Sequence, residues 1–500
     1  MSTPPAGTPA LRTRLQSPAW LLGLLALWLL ATLGLRPLLL PDEGRYASVA
    51  REMLLGDGLV PTLNGLPFFH KPPLFYWLDM AAMQLFGTNA FTARFGSMFG
   101  AWLMGASLWF AVRRWHGERV AAITLGVLAT CPFFFVGAQY ANHDMLVGGL
   151  ISAAVLTLAR AVEAPPRVAL GWLVAGWVFC ALAVLAKGLI GFVLPALVIG
   201  PWLLAQGRWR QVLGLLHPLG LLAFVVVAAP WFVVMQMRYP GFFDYFVMEQ
   251  HFRRFAQSNF NNVHPFWFFI VVLPALTLPW SAWLPQAVQR AWGGRNARIG
   301  LLAWWVVAVV GFFSLPSSKL VGYVLPALAP WCALMALAVA ASRVRLWPWV
   351  MGASALVCVV IVGVFAWQAP KSNRAASLAL AAQLAPTDRV VMVDEYFYDL
   401  PFDARLKAPV IVASDWADPA VPTRDNWRKE LFDAARFDPA RGRALLRPLD
   451  KLDTLLCDAG RVWFVVDPGR SPQLAALPGI ERVFADPRTE LWRAPARACP

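Results

Sequence analysis

The sequence predicts an all-α domain that crosses a membrane many times, followed by a small α/β domain at the C-terminal end. The 500 residues are 59% hydrophobic and only 14% charged, whereas soluble proteins carry about 25% charged residues. Several apolar runs reach or approach the roughly 20 residues that a membrane-spanning helix needs. Near residue 370 charged residues and prolines become common, which indicates the change from the membrane domain to a soluble domain.

The membrane domain is predicted to cover residues 18–369 and to contain about 11 to 13 spans. The first apolar run is followed by Arg36-Pro37 and by polar residues, without the small residues of a cleavage site, so we expect a retained span. The eleven predicted segments are 18–36, 92–112, 120–138, 144–160, 169–186, 188–205, 213–236, 266–287, 299–316, 320–341 and 347–367.

Arginine clusters in short connections indicate which side of the membrane each connection occupies. The positive-inside rule assigns them to the cytoplasm, together with an N-terminal tail of residues 1–17. The net charge of +15 is then largely an orientation signal, and no nucleic-acid partner is expected. The opposite, outer side receives the first long loop, with surface helices at about 41–90, and the C-terminal domain. The membrane lipids are the expected surroundings of the spans.

The segment 370–500 is predicted to form an external α/β domain, because short β-rich runs alternate with helical stretches over a length sufficient for a small domain. The β-rich runs are Val390–Val393, Val410–Val412 and Val462–Val466, and the helical stretches are Arg374–Leu384 and Trp427–Arg436.

The first long loop begins with a predicted amphipathic helix. Asp42 and Glu43 directly follow a proline, which is a good helix start. Arg45, Ser48 and Glu52 share the polar side of this helix, which we expect to lie along the outer membrane surface. Asp42 projects over the apolar side and is therefore a candidate catalytic carboxylate. The alternative is that both acids only stabilise the helix N-terminus.

Further ionisable residues stand at the outer ends of spans. His70 and Lys71 lie among aromatic residues and prolines, where interfacial anchoring is the alternative explanation. Asp144 opens a span, and a carboxylate at that depth is costly unless it is paired. Lys187 interrupts an apolar stretch, which favours a snorkelling or helix-end charge.

The later external connections add four candidates. His251 and Arg254 would be neighbours on a helix, and Lys319 precedes Tyr323 by about one turn. Histidines are few and lack the tight spacing of metal ligands. No cofactor is therefore predicted with certainty, and a divalent metal stays an open alternative.

These residue types together suit the transfer of a sugar from a lipid phosphate. Cations would stabilise the phosphate that leaves, and a carboxylate would act as a base or hold the sugar. Asp42 is the first candidate for that carboxylate and Asp144 the second. The sequence contains no phosphate-cradling glycine loop and no serine or cysteine triad motif, which disfavours nucleotide hydrolysis and acyl transfer. The candidate cations are Arg45, Lys71, Arg254 and Lys319.

The order of these motifs resembles the aminoarabinose transferases that modify lipid A, which belong to the protein O-mannosyltransferase-like branch of the C-type glycosyltransferases. The resemblance covers about residues 15–345. The matching motifs are Asp42-Glu43-Gly44-Arg45-Tyr46, Lys71-Pro72, Asn142-His143-Asp144, His251-Phe252-Arg253-Arg254-Phe255-Ala256-Gln257, Pro265-Phe266-Trp267, Ser318-Lys319-Leu320 and Tyr323-Val324-Leu325-Pro326.

This resemblance implies a C-type glycosyltransferase fold, a polyprenyl-phosphate-linked sugar donor and a periplasmic acceptor such as lipid A. It also implies that Asp42, Asp144 and Glu43 are catalytic candidates. His70 stands where the aminoarabinose enzymes typically have Glu, which leaves the sugar open; His70 and His251 are candidate substrate or metal contacts. The residues that it associates with donor phosphate and lipid phosphate are Arg45, Lys71, Arg254, Lys319 and Tyr323.

Two alternatives differ in acceptor or in class. A related transferase could act on a protein or on another glycan. A flippase or transporter of lipid-linked sugars would be expected to hold its substrate near the bilayer midplane, between repeated halves. The ionisable residues here gather at one predicted face and the sequence has no internal repeat, which favours the transferase.

Overall fold

The structure, a computed structural model, describes residues 18–253, 262–293, 296–343, 346–368, 371–456 and 460–496, with the backbone alone at 251–253. The described residues form two compact units. One comprises the chain up to residue 33 with 96–230 and 262–364, and the other comprises 34–95, 231–261 and the chain from 365 onward. Each unit is therefore assembled from stretches that lie far apart in the sequence.

Apolar helices occupy all eleven predicted segments, and most of them could cross a membrane, so the chain is a multi-pass membrane protein. In the described part, seven helices are long and apolar enough to cross in one piece, and two bent helix pairs raise this number to nine. Two shorter apolar helices, Ala19–Leu30 and Ile190–Leu204, occupy the remaining predicted segments. The seven are Thr92–His116, His143–Glu163, Pro166–Lys187, Pro218–Arg238, Ala297–Ser314, Val321–Ala341 and Trp347–Gln368.

Two segments predicted as continuous spans are broken. Glu118–Ala129 and Pro132–Ala138 meet at 66°, and Phe268–Leu276 and Trp280–Gly293 meet at 110°. Proline explains both breaks, because it lacks the amide hydrogen and its ring clashes with the preceding turn: Pro132 follows the first break, and Pro279 lies in the second.

The first unit packs around the helix that carries Asp144. In His143–Glu163 the apolar window is 83% buried, against 17% for Trp347–Gln368, so the former is central and the latter peripheral. Gly149 lies so close to Gly100 that a Cβ atom at Gly149 would meet the Gly100 carbonyl. Small residues allow such close approach of membrane helices.

The second unit contains a six-stranded sheet in the order β5-β4-β3-β6-β8-β7. Strands β5, β4, β3 and β6 pair with one another in parallel, whereas β8 is antiparallel to β6 and to β7. The β-rich runs predicted from the sequence form β3, β4 and β6, so the α/β domain is confirmed. The strands are β1 (Thr62–Leu63), β2 (Leu66–Pro67), β3 (Arg389–Val393), β4 (Ile411–Ser414), β5 (Leu446–Pro448), β6 (Val462–Val466), β7 (Glu481–Ala485) and β8 (Glu490–Ala494).

The second unit also contains helices that lie before, between and after these strands along the chain, and one of them is the predicted amphipathic helix. β3 and β6 are buried along nearly their whole length, as is typical of central parallel strands. The helices of the loops and of the C-terminal segment are Asp42–Leu55, Leu74–Phe86, the π-helix Asp244–Arg253, Arg374–Ala381, Leu400–Asp403, Trp427–Ala435, Pro439–Leu445 and Ser471–Ala475.

Candidate active site

Asp42 lies at the start of the helix Asp42–Leu55, with one side of its carboxylate engaged. It forms an ion pair with Arg45, one turn further along the helix, and its side chain is 28% exposed. An acidic residue in the first turn is favoured by the helix dipole. The pairing with Arg45 restrains the carboxylate, while the exposed fraction leaves it open to a substrate.

Arg45 is held between two carboxylates. Its terminal nitrogens pair with Asp42 and with Glu430 of the helix Trp427–Ala435, and its guanidinium carbon lies 5.6 Å from the ring centre of Tyr398. Burial lowers the pKa of Arg45, but the charges of Glu430 and Asp42 outweigh it and raise the pKa well above its ordinary value. Arg45 is therefore a fixed positive charge beside Asp42.

Glu430 is buried, and its carboxylate contacts two groups at once. Oε1 accepts from Arg45, and Oε2 accepts a hydrogen bond from the Tyr398 hydroxyl at 2.6 Å. Burial raises the pKa of Glu430 above its usual value despite the opposing effects of Arg45 and Tyr398. Neither Glu430 nor Tyr398 was predicted from the sequence as a site residue.

Glu43 is fully buried, and two arginines surround its carboxylate. Arg94 Nε donates to Oε1 at 2.8 Å, Arg36 donates to both oxygens, and the backbone N–H of Leu39 donates to Oε2 at 2.8 Å. Burial raises the pKa of Glu43, but Arg94 and Arg36 together lower it from 4.5 to about 2. The carboxylate is therefore ionised, and its oxygens are occupied.

The polar side of the helix Asp42–Leu55 is buried in the second unit. Its place along the outer membrane surface stays a prediction. Ser48 donates to the Tyr398 carbonyl at 2.8 Å. Glu52 accepts the backbone N–H groups of Asn64 and Gly65, each at 2.8 Å. These partners come from the hairpin β1–β2 and the C-terminal segment, which local periodicity cannot reveal.

His70 and Lys71 follow strand β2. The His70 ring stacks on Phe68 at 4.3 Å between centres and lies 6.1 Å from Tyr245. Lys71 Nζ donates to the His70 carbonyl at 3.1 Å. His70 and Glu430 line the same narrow crevice. The second unit thus brings His70 near Glu430, the partner of Arg45.

Asp144 and Lys187 form an ion pair in the first unit, with side-chain exposures of 8% and 13%. Lys187 Nζ lies 4.8 Å from the ring centre of Tyr323, and Gly322 lacks the Cβ that would clash with Asp144. From the sequence, Lys187 was predicted to be a snorkelling or helix-end charge. A carboxylate within the membrane needs a partner of opposite charge, and this need could have identified Lys187 as the partner of Asp144.

Lys319 lies beside a short bridge between Val263 and Ser318. Its ammonium donates to the carbonyls of His264, at 2.9 Å, and Pro316. Burial lowers the pKa of Lys319. The side chain of His251 and the whole of Arg254 lie outside the described residues.

The part of the chain that the structure describes offers no evident set of metal ligands. No group of three or more His, Cys, Asp or Glu side chains there could hold an ion. The divalent metal therefore stays an untested alternative, and no chemical step is assigned to one.

Comparisons with known proteins confirm the resemblance that the motifs predicted. Residues 70–233 match the model of the dolichyl-phosphate-mannose-protein mannosyltransferase family. An undecaprenyl phosphate-alpha-4-amino-4-deoxy-L-arabinose arabinosyl transferase 2 of Sodalis glossinidius is 38% identical over 322 residues, 63% of this chain and 58% of that protein. The corresponding transferase of Erwinia tasmaniensis is 37% identical over 318 residues, 62% of this chain and 57% of that protein. The chain thus spans less than two thirds of the length of these relatives.

The fold is also similar to solved structures. ArnT from Cupriavidus metallidurans bound to undecaprenyl phosphate superposes with a TM-score of 0.84 at 24% identity, covering 96% of this chain and 98% of that one. The archaeal oligosaccharyltransferase AglB from Archaeoglobus fulgidus matches with a TM-score of 0.51 at 13% identity, covering 91% and 70%. The predicted C-type glycosyltransferase fold is confirmed.

Proposed function

We propose that this chain, which has the fold of ArnT and resembles the undecaprenyl phosphate-aminoarabinose transferases, is itself a membrane glycosyltransferase. It moves a monosaccharide, aminoarabinose or a related amino sugar, from undecaprenyl phosphate to lipid A or another periplasmic acceptor. The observation that carries this proposal is the 38% identity over 322 residues to a transferase of that name. The geometry around Asp42 and Arg45 supports it.

The reaction exchanges one bond at the anomeric carbon of the sugar. The bond from C1 to the phosphate oxygen breaks, its electron pair stays on that oxygen, and undecaprenyl phosphate leaves as a monoester. An acceptor oxygen forms the new bond to C1. Fixed cations stabilise the charge that develops on the phosphate. We assign this part to Arg45 and Lys71, with Arg254, Lys319 and Tyr323 as further contacts to the donor.

Asp42 is the proposed catalytic carboxylate because it is ionically restrained and still partly exposed. A phosphate acceptor on lipid A is already ionised, so Asp42 then acts by positioning and by stabilising positive charge on the sugar. A hydroxyl acceptor must lose a proton, and Asp42 takes it as general base.

The two other acids receive positioning roles in this proposal. Glu43 has its oxygens occupied by Arg36 and Arg94, so it holds the start of the helix beside Asp42 and does not touch substrate. Asp144 is neutralised by Lys187, and this pair keeps the ammonium under the ring of Tyr323.

The proposal includes the orientation of the chain. We place it in the bacterial inner membrane, with residues 1–17 in the cytoplasm, 18–369 as the membrane domain and 370–500 as a periplasmic domain. The active site then faces the periplasm. Arginine-rich connections on the predicted cytoplasmic side support this orientation.

Mass spectrometry of lipid A from cells with and without the chain tests the proposal. An added mass of one sugar is expected with the wild type, and its value distinguishes an aminopentose from a hexosamine. Asp42→Asn and Lys71→Ala are expected to abolish the addition. Asp57→Asn is the matched control, because Asp57 is an exposed carboxylate paired with Arg238 and should leave the addition intact.

The other outcomes separate the alternatives. If lipid A were unchanged while another glycan or a protein lost a sugar, the transferase would stand with a different acceptor. If no glycoconjugate changed, the transferase proposal would be refuted and transport of the lipid-linked sugar would be tested next.

A further inference from the structure

We infer that Glu430 and Tyr398 of the C-terminal segment are positioning residues for Arg45 and, through Arg45, for Asp42. The inference rests on the proposed function, because it assigns these residues a part in the same transfer. It makes the C-terminal segment a component of the catalytic apparatus and not only a neighbouring domain.

The contacts form one continuous chain of polar groups. Tyr398 donates its hydroxyl hydrogen to Glu430 at 2.6 Å, Glu430 pairs with one terminal nitrogen of Arg45, and Asp42 pairs with the other. The exposed fraction of the side chain rises along this chain from 7% at Glu430 through 14% at Arg45 to 28% at Asp42. The buried end is therefore the anchor, and the exposed end is free to meet a substrate.

Arg45 depends on this anchor for its orientation. Its Nε atom is buried and makes no hydrogen bond to any residue in the described ranges. The two terminal nitrogens therefore set the plane of the guanidinium group. Without the charge of Glu430, the more exposed Asp42 would be its only carboxylate partner among those contacts, and both groups would gain freedom to rotate. A misplacement of about 1 Å costs roughly 100-fold in rate when it affects reacting groups.

Tyr398 is itself fixed on the helix that carries Asp42. Ser48 donates to the Tyr398 carbonyl at 2.8 Å. Gly44 permits the close approach of the next residue, since a Cβ at Gly44 would lie 2.7 Å from the Asp399 nitrogen. The anchor therefore keeps its place relative to the helix, as positioning of Arg45 requires.

A merely structural role for Glu430 is the competing explanation, and the same helix provides a control for it. Asp433 follows Glu430 by three residues, is equally buried, and pairs with Lys429 at 2.7 Å. It has no contact with Arg45 among its hydrogen bonds and ion pairs. Asp433→Asn therefore removes a comparable buried charge from the same helix without touching the proposed anchor.

The test is a transfer assay with the purified full-length chain, undecaprenyl-phosphate-linked aminoarabinose as donor and lipid A as acceptor. Glu430→Gln is expected to lower kcat at least about tenfold and to change the KM for the donor by less than about threefold, as expected when an interaction matters mainly in the transition state. Tyr398→Phe should also lower kcat, but by a smaller factor than Glu430→Gln does. Asp433→Asn should keep kcat within about twofold of the wild type.

A double-mutant cycle decides whether Glu430 acts through Arg45. In an Arg45→Gln background, Glu430→Gln should cause no further loss of activity. The inference is overturned if Glu430→Gln matches Asp433→Asn, or if its effect persists undiminished without Arg45. If Glu430→Gln does not fold, Tyr398→Phe decides alone, and wild-type kcat in that variant overturns the inference. If the wild type transfers no sugar, the proposed function fails and the inference fails with it.

Discussion

The buried cluster of Glu43, Arg36 and Arg94 allows a quantitative prediction for the variant Glu43→Gln. The substitution keeps the shape of the side chain and removes its charge. Two guanidinium groups that are 5% and 0% exposed then lose the carboxylate between them. Removing one partner of a buried ion pair costs about 3–5 kcal/mol, because a buried charge is left uncompensated.

The pKa of Glu43 gives a second value for the same quantity. A decrease from 4.5 to about 2 corresponds to about 3 kcal/mol at neutral pH, since one pKa unit is about 1.4 kcal/mol. Because the folded-state pKa lies below the unfolded-state value, this stabilisation is present above about pH 4.5 and is lost as the pH falls toward 2. The two routes agree on about 3 kcal/mol.

The assay is thermal unfolding of the purified protein in detergent, at pH 7 and at several lower pH values. Glu43→Gln should lower the unfolding midpoint by several degrees at pH 7, and the difference from the wild type should shrink below about pH 4.5. Glu118→Gln is the control, because its pair with Arg113 is exposed and worth at most about 1 kcal/mol. The reasoning is refuted if both variants unfold at the same midpoint, or if the Glu43→Gln difference does not depend on pH.

Two further predictions concern the first unit and the helix Asp42–Leu55. Lys187→Met leaves Asp144 without its ion-pair partner and should lower the free energy of unfolding by about 3–5 kcal/mol, and adding Asp144→Asn should restore most of the loss. A double variant less stable than Lys187→Met would contradict this, as measured by thermal unfolding. Gly44→Ala forces a Cβ to within 2.7 Å of the Asp399 nitrogen and should cost about 1–3 kcal/mol. Gly23→Ala, with no atom within 4 Å of its Cβ, should cost nothing measurable, and equal midpoints for the two would show that the backbone gives way freely.

The sequence predicted the parts of the fold that depend on local patterns. Apolar runs identify spans because a backbone in lipid must satisfy its own hydrogen bonds, which a helix does. The strands β3 and β6 were recognisable because buried parallel strands are continuous runs of β-branched and aromatic residues. The bends at Pro132 and Pro279 were missed, although both prolines were visible, because apolar composition alone does not distinguish a straight helix from a broken one.

Only those site residues whose type is unusual for their position in the sequence could be predicted. Asp42 and Asp144 were identified because carboxylates next to apolar spans need an explanation. Glu430 belongs to a helix with many charged residues, where one more Glu suggests a solvated surface position. Its contact with Arg45 joins residues 385 positions apart, and no pattern in a single sequence encodes such a pairing. Lys187 was an intermediate case, because Asp144 required a partner that only the packing identified.

The polar side of the helix Asp42–Leu55 has a consequence for the order of events during synthesis. Ser48 and Arg45 bind groups that lie 350 and 385 residues further along the chain, and Asn64 exchanges two hydrogen bonds with Val410, 346 residues away. At translation rates of about 5–20 residues per second, these groups wait roughly 20–80 s for their partners.

During that interval Ser48, Arg45 and Asn64 lack these partners, because residues 398–430 have not yet been made. A ribosome that stops before residue 398 releases a chain whose spans are complete and whose first loop still lacks its partners. Membrane insertion and completion of the proposed catalytic loop are therefore separate events, and the second waits for residues 398–430.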